Sequence, residues 1–297
     1  MISIAIRLRN YLYDKNLLKS CKFDVFTISV GNIALGGRGK TSLSSYLAKE
    51  LEDFRPCILL RGYRAKLKGP TLVKKGGSWQ DFGDEAFMLA QKHSCVIIGK
   101  KRCQSAKLAI SMGAKVLILD DGFQHRAIAR DLDLVLIKSQ DLKDRLFPFG
   151  RLREPPESLM RASAILISYS ELEESEGRFE LYKKPVFYPR RVNFRLIDSL
   201  SGEVLNLPLK GEFYAFSALG DNIQFFQTLE KLGIKLLSKI GLRDHYSYKN
   251  FSLPGNGPWI TTHKDIIKLK PREGLFWLDY DLEVPGLKEW IVSKILT

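Results

Sequence analysis

Short apolar runs punctuate the first 170 or so residues: Val25 to Val30, Cys57 to Leu60, Val96 to Gly99, Val116 to Asp120, Leu132 to Ile137 and Ala164 to Ser168. They have the length and composition of buried strands. Helix-patterned segments lie between several of them, among them TSLSSYLAKELEDF, DEAFMLAQK and KRCQSAKLAISM. Strands alternating with helices predict an α/β fold with a doubly wound, mostly parallel sheet. Beyond this stretch the texture changes. Glu171, Glu173, Glu174, Glu176 and Glu180 read as a solvated helix face, and KKPVFYPRRVNFRLIDSLSGEVLNL alternates like antiparallel strands with a turn at Ser201-Gly202. YAFSALG, DNIQFFQTLEKLG, WITTHKD and LFWLDYDLEV then form a second α/β stretch. The expected organisation is an N-terminal helix over 1–20, a core over 21–180, a two-stranded β linker over 181–208 and a smaller C-terminal α/β lobe over 209–297, with a cleft between the lobes.

At the N-terminus, Ile4, Leu8, Tyr11, Leu12 and Leu18 fall near one helical face. Residues 1–22 carry Arg7, Arg9, Lys15, Lys19 and Lys22 against Asp14 alone. Such a helix either lies on anionic lipid or packs on its own domain, and the pattern leaves both open. Over 297 residues, 47 Lys and Arg against 33 Asp and Glu give a formal charge of +14, which favours anionic partners. A hydrophobic share of 45% excludes a disordered chain. Cys21, Cys57, Cys95 and Cys103 lack CxxC spacing and read as reduced thiols, with neither a zinc site nor a disulfide framework. No run approaches the ~18 apolar residues that span a bilayer.

The strongest chemical signal is GNIALGGRGKTS, residues 31–42, between a strand and a helix. Gly36, Gly37 and Gly39 let the backbone wrap a phosphate, and the following helix adds its N-terminal dipole. Lys40 is placed to reach β- and γ-phosphates and Thr41 to put a hydroxyl on Mg²⁺. The strict P-loop pattern has glycine where this chain has Ala34. The strand ending in Asp120-Asp121 matches a Walker B pattern, a carboxylate at a strand tip meeting Mg²⁺. Asp84 and Glu85 fit helix-start acids, and the basic run from Arg61 to Lys75 fits a solvated or anion-contacting loop.

Taken together, SVGNIALGGRGKT, LLRGYRAKLKG, GDEAFMLA, DDGFQHRAIARDLDLVLI, FPFGRLREP, AFSALGDNIQFFQTLEKLG, GLRDHYSY and TTHKD resemble the tetraacyldisaccharide 4′-kinase family, the lipid A kinases of Gram-negative bacteria. The resemblance implies transfer of the γ-phosphate of ATP to the 4′-hydroxyl of an acylated glucosamine disaccharide 1-phosphate, giving lipid IVA. It implies that Ala34, Leu35, Gly36, Gly37, Arg38, Gly39, Lys40 and Thr41 hold ATP, and that Asp120 and Asp121 serve Mg²⁺ with Thr41. Asp84 of the GDE motif is then the general base and His245 of RDHY its partner, with Glu85, Gln124, His125 and Glu154 lining the same cleft. A substrate with acyl chains implies work at the cytoplasmic face of the inner membrane. The family's N-terminal helix is longer and more apolar; here six uncharged residues precede Arg7, which favours peripheral attachment. LPxGxLREP becomes FPFGRLREP, bringing Phe149 and Arg151, and the glycine-rich turn reads ALGDN without proline.

The rival from another class is a P-loop regulatory ATPase or GTPase switch. THKD, Thr262 to Asp265, is a near miss to a guanine-reading motif. No helix-turn-helix, zinc or RNP-like signature supports nucleic-acid binding, and no obligate protein partner is expected.

Overall fold

The computed structural model describes residues 2–67, 69–172, 179–207, 211–253 and 255–297. Two compact units divide the chain: Met1–Arg190 with Glu283–Thr297, and Arg191–Leu282. The first unit runs α1 (Ile2–Asp14), β1 (Phe26–Asn32), α2 (Lys40–Glu50), β2 (Pro56–Leu60), β3 (Thr71–Leu72), α3 (Trp79–Phe82), α4 (Asp84–Lys92), β4 (Val96–Ile98), α5 (Arg102–Ser111), β5 (Val116–Asp120), β6 (Leu132–Ile137), β7 (Ala164–Ile167) and β8 (Val186–Phe187).

Its sheet has the order β3-β4-β2-β5-β1-β6-β7-β8. The pairs are parallel except β3 with β4 at the edge. The central strands are buried throughout, which is why they read as continuous apolar runs. Alternation still sorts the side chains: Cys57, Leu59, Leu117 and Leu119 share one cluster with Ala106 and Ala109 of α5. A second cluster joins Val135, Ile137, Ile165 and Ile167 to Ile33, Phe123 and Leu152. Strand β1 sits between β5 and β6, where the chain reverses its direction of travel across the sheet. Ligands of such sheets bind beyond the strand C-termini at that reversal.

The second unit runs β9 (Arg190–Asp198), β10 (Val204–Asn206), β11 (Glu212–Ser217), α6 (Asn222–Lys231), β12 (Lys235–Gly241), β13 (Trp259–Thr262), α7 (His263–Ile266) and β14 (Leu275–Glu283). Its sheet order is β10-β9-β14-β13-β11-β12. The chain then returns to the first unit with α8 (Leu287–Ile295). There Tyr46 donates to the Val284 carbonyl, Lys288 pairs with Glu50 at 3.1 Å, and Trp290 packs against Phe187.

Three expectations change. The segment 181–208 is not a separate linker: β8 extends the first sheet, while β9 and β10 form an antiparallel hairpin of the second. Its turn uses the Asp198 carboxylate, which accepts the Leu200 and Ser201 amides at 2.8 Å. The last fifteen or so residues belong to the first unit, not to the C-terminal lobe. The cysteines are paired, Cys21 with Cys103 and Cys57 with Cys95. Spacing in sequence misses this because parallel strands and a β-bridge bring distant positions together: β2 abuts β4, and Cys21 bridges to Ile128. Of the acidic stretch, Glu171 lies in a turn, while Glu173, Glu174 and Glu176 fall outside the described residues.

Helix α1 is held at its C-terminal half. Asn10 donates to Glu154 at 2.9 Å, and Arg126 reaches Asp14 at 2.7 Å and the Asn10 carbonyl at 3.0 Å. Leu8 and Tyr11 remain more than half exposed. The helix thus packs on its own unit through Asn10 and Asp14 and leaves the Leu8 and Tyr11 side chains on the surface. Among the described residues no helix is long and apolar enough to cross a membrane.

Candidate nucleotide and phosphoryl-transfer site

The site grows from the C-terminal end of β1. Gly31 lies so close to the Phe123 side chain that a Cβ would collide with it. Asn32 donates to the Ala34 carbonyl at 2.6 Å and the Leu35 amide to the Arg151 carbonyl at 2.7 Å, which tie down the start of the loop. Gly39 adopts φ 78, a left-handed conformation that favours glycine, and ends the loop as the capping residue of α2. Having no side chain, it leaves the first amides of α2 for an anion, reinforced by the helix dipole.

The Arg38 side chain departs from a phosphate-facing role. It is buried and grips Asp141 with two bonds of 2.9 and 2.6 Å, while its carbonyl accepts from Ser168. It braces the loop from behind and leaves the phosphate contact to the backbone.

Lys40 and Thr41 face the end of β5. The Thr41 hydroxyl lies 3.2 Å from Asp120 Oδ2, and Lys40 Nζ lies 3.6 Å from Asp121 Oδ1. Asp120 is buried, and its Oδ1 has no hydrogen-bond partner among the described residues. Burial above all, with Glu85 nearby, pushes its carboxyl upward against the pull of Lys40. Burial would also raise Asp121, but Lys40 and Arg153, the latter at 2.8 Å, outweigh it and bring it down to about 2. A buried carboxylate with an unused oxygen beside a threonine hydroxyl is an oxygen donor set that suits Mg²⁺, which takes one or two protein oxygens and completes its shell with phosphates and water. No cage of three His, Cys, Asp or Glu side chains exists among the described residues, and this mode of binding does not require one.

Asp84 and Glu85 form the first turn of α4, as helix-start acids do. Gly83 has φ 86, and a Cβ there would stand 2.7 Å from the Tyr63 carbonyl. The basic 61–65 segment therefore backs the turn that presents Asp84. Asp84 is buried and accepts the Glu85 amide at 2.9 Å. The field of Glu85 at Asp120 brings the GDE turn and the β5 tip into one electrostatic site.

Gln124 donates to the Asn32 carbonyl at 2.8 Å. His125 is pushed down to about 4 by burial, then by Arg102, Arg130 and Arg61, so its ring is neutral at pH 7. Two arginines passed over in the sequence organise this loop. Arg130 donates to the carbonyls of Phe123, His125 and Ile128, and Arg102 donates to the Asp120 carbonyl. The signal was their place in the motif, R-x-x-x-R-D and the start of α5, but buried arginines that serve carbonyls look like surface charges in a sequence.

Glu154 corrects an expectation. It is fully buried and bonded to Asn10 and Arg161, so it anchors α1 rather than lining a cleft. His245 belongs to the second unit, with φ 59. Its Nε2 lies 3.5 Å from Lys264 Nζ and 3.8 Å from Asp244. In THKD, Asp265 is buried and accepts from the Ala218 amide at 2.9 Å and the Thr262 hydroxyl at 2.7 Å. That carboxylate braces the second unit's own fold, unlike the base-reading aspartate of a guanine switch.

A family model described as LpxK, tetraacyldisaccharide-1-P 4′-kinase, matches residues 1–296. The chain is 43% identical over 288 residues to a tetraacyldisaccharide 4′-kinase of Aquifex aeolicus, covering 94% of this chain and 90% of that one. It is 37% identical to one from Desulfotalea psychrophila, covering 89% and 84%. A crystal structure of the "apo" form of LpxK from Aquifex aeolicus in complex with ATP superposes with a TM-score of 0.84 at 40% identity, covering 99% of this chain and 96% of that one.

Proposed function

The chain belongs to the tetraacyldisaccharide-1-P 4′-kinase family, and from that premise we propose how its own residues carry out ATP-dependent phosphorylation of the 4′-hydroxyl of an acylated glucosamine disaccharide 1-phosphate. In this reaction the bond from the 4′-oxygen to the γ-phosphorus forms, the bridging bond to the β-phosphate breaks, and the hydroxyl proton must leave. Such transfer needs positioning and charge neutralisation more than covalent chemistry.

The loop from Ala34 to Thr41 wraps the phosphates with backbone amides, and Lys40 neutralises the β- and γ-oxygens. Thr41 and Asp120 would hold Mg²⁺, with Asp121 fixed beside them by Lys40 and Arg153. Bound there, the ion supplies further neutralisation of the transferring phosphoryl group. Asp84 takes the proton of the sugar hydroxyl, and the family resemblance adds His245 of the second unit to the catalytic set. Gln124 and His125 contribute an uncharged wall, and Glu85 sets the field on Asp120. The observation that carries this reading is the buried Asp120 carboxylate, one oxygen unused, facing Thr41 at the start of α2.

The acyl chains of the substrate imply work at a bilayer. We place the enzyme peripherally at the cytoplasmic face of the inner membrane, with the basic, half-exposed α1 contributing to attachment.

The test uses purified protein, ATP, Mg²⁺ and the disaccharide 1-phosphate in detergent. The expected product is a bisphosphorylated lipid. Asp84→Ala abolishes turnover while nucleotide affinity survives, and Lys40→Ala loses nucleotide affinity. Unchanged turnover in Asp84→Ala removes the base assignment.

A further inference from the structure

The chain between β6 and β7 carries an aromatic tip, Phe147 and Phe149, that holds none of the residues proposed for the reaction. Phe149 is 86% exposed and Phe147 51% exposed. Two large rings on the surface of one short turn are costly in water and mark a contact surface. The turn is built rather than loose. The Phe147 amide donates to the Leu152 carbonyl at 2.8 Å, the Phe149 amide to Leu146 at 3.0 Å, and the Leu152 amide to Arg145 at 2.9 Å. Asp144 closes its base by accepting the Arg145 amide at 2.7 Å and the Arg151 amide at 3.2 Å. Leu146 packs on the core below. The rings are therefore held outward, and little ordering cost remains for a partner to meet.

Charge indicates which partner. Lys143, Arg145 and Arg151 are all exposed around the tip, and Asp144 is the acid among them. Apolar rings at an apex with a basic collar match the layering of an anionic bilayer, chains inside and phosphates at the rim. Position points the same way. The Arg151 carbonyl holds Leu35 of the nucleotide loop, and Glu154, three residues on, holds Asn10 of α1. The stretch 145–154 thus ties the tip to both the phosphate loop and the N-terminal helix.

We propose that the Phe147–Phe149 turn is a second lipid-binding element, inserting its two rings into the interface of an anionic bilayer while Arg145 and Arg151 meet the headgroup phosphates. The proposal deepens the reading of this protein as a membrane-lipid kinase and rests on it for the choice of a bilayer as occupant. A contact there would hold the nucleotide loop at the plane where the substrate headgroup lies.

The experiment measures flotation of the full-length protein with vesicles of equimolar phosphatidylglycerol and phosphatidylcholine, without ATP or substrate. Phe147→Ser with Phe149→Ser is expected to weaken binding by roughly tenfold or more. Arg145→Gln with Arg151→Gln is expected to remove most of the preference for these vesicles over pure phosphatidylcholine, and to flatten the salt dependence. A Phe149→Trp variant is expected to gain a fluorescence component, absent from the wild type, that brominated lipid quenches. Both serine substitutions should leave turnover of detergent-dispersed substrate unchanged. Unaltered flotation of the serine variant overturns the proposal, as does a new component in Phe149→Trp that brominated lipid fails to quench. A raised KM on dispersed substrate with normal flotation also overturns it, because the rings would then be reading the substrate's own chains. Because flotation is read without chemistry, loss of the kinase reading would show separately, as absent product with binding intact.

Discussion

Arg38 and Asp141 form a buried two-pronged ion pair behind the nucleotide loop, each about 1% exposed. Lys138 adds its backbone amide to the same carboxylate at 2.9 Å. Removing one partner strands a buried charge, which costs about 3–5 kcal/mol. Asp141→Ala is expected to lower the unfolding free energy by that order, read as a fall in the urea midpoint, and to weaken ATP binding as the loop loses its brace. Arg38→Lys, with Asp141 intact, should show a loss of the same kind, since an ammonium cannot repeat the fork geometry. Denaturation and nucleotide titration check this; wild-type ATP affinity in Asp141→Ala would show that the loop holds its shape unaided.

His93, at the end of α4, meets Ser45 of α2 at 2.7 Å, and burial above all, with Lys92 and Lys75, pushes its ring down to about 4. An unfolded histidine titrates near 6.5. Between those values the unfolded chain takes up a proton that the folded ring refuses. The contribution is therefore full above about pH 6.5 and is lost as pH falls towards about 4. The ring is partly exposed, so the loss is about 1–2 kcal/mol after allowance for solvent screening. Urea midpoints from pH 7 to pH 4.5 should fall less steeply in His93→Gln than in the wild type. Identical slopes would mean that the folded ring protonates normally.

Glu154 links α1 to the core through Asn10 and holds Arg161 at 2.7 Å. Glu154→Ala leaves Arg161 half-stripped and frees the helix. The expected result is faster limited proteolysis within the first twenty or so residues and a stability loss of about 3 kcal/mol. Asn10→Ala should reproduce the proteolysis at about 1 kcal/mol, since it removes one hydrogen bond. Unchanged cleavage in both would detach the helix from this contact.

Four cysteines joined in two pairs predict no reactive thiol in the denatured, unreduced protein and four after reduction. The pairs close sequence separations of 82 and 38 residues. Reduction is expected to cost about 2–5 kcal/mol for each bond. Thiol titration and melting with and without reductant measure both. Four thiols reacting before reduction would show that the pairs are only neighbours.

The central strands could be read from the sequence because burial on both faces leaves unbroken apolar runs with little room for another interpretation. The strand–glycine turn–helix of residues 26–50 was equally plain, since Gly31, Gly36 and Gly39 each answer a backbone demand. What lay hidden depends on contacts between distant residues. Arg38 sits in a phosphate-loop pattern, yet its side chain turns to an aspartate 103 positions away. Glu154 looks like a cleft acid until α1 arrives to bury it. Strand β9 reads as a linker because local alternation does not say which sheet it will join. Helix α8 carries no local mark of the unit it completes.

That last helix bears on how the molecule is made. Residues 191–282 are an insertion within the first unit's chain, leaving on β9 and returning on β14, which are neighbours in one sheet. Synthesis runs from the N-terminus, so α8 leaves the ribosome only after the inserted unit is complete. Until then Tyr46, Glu50 and Phe187 lack their later partners at Val284, Lys288 and Trp290. The nucleotide-binding half of the enzyme is begun first and finished last.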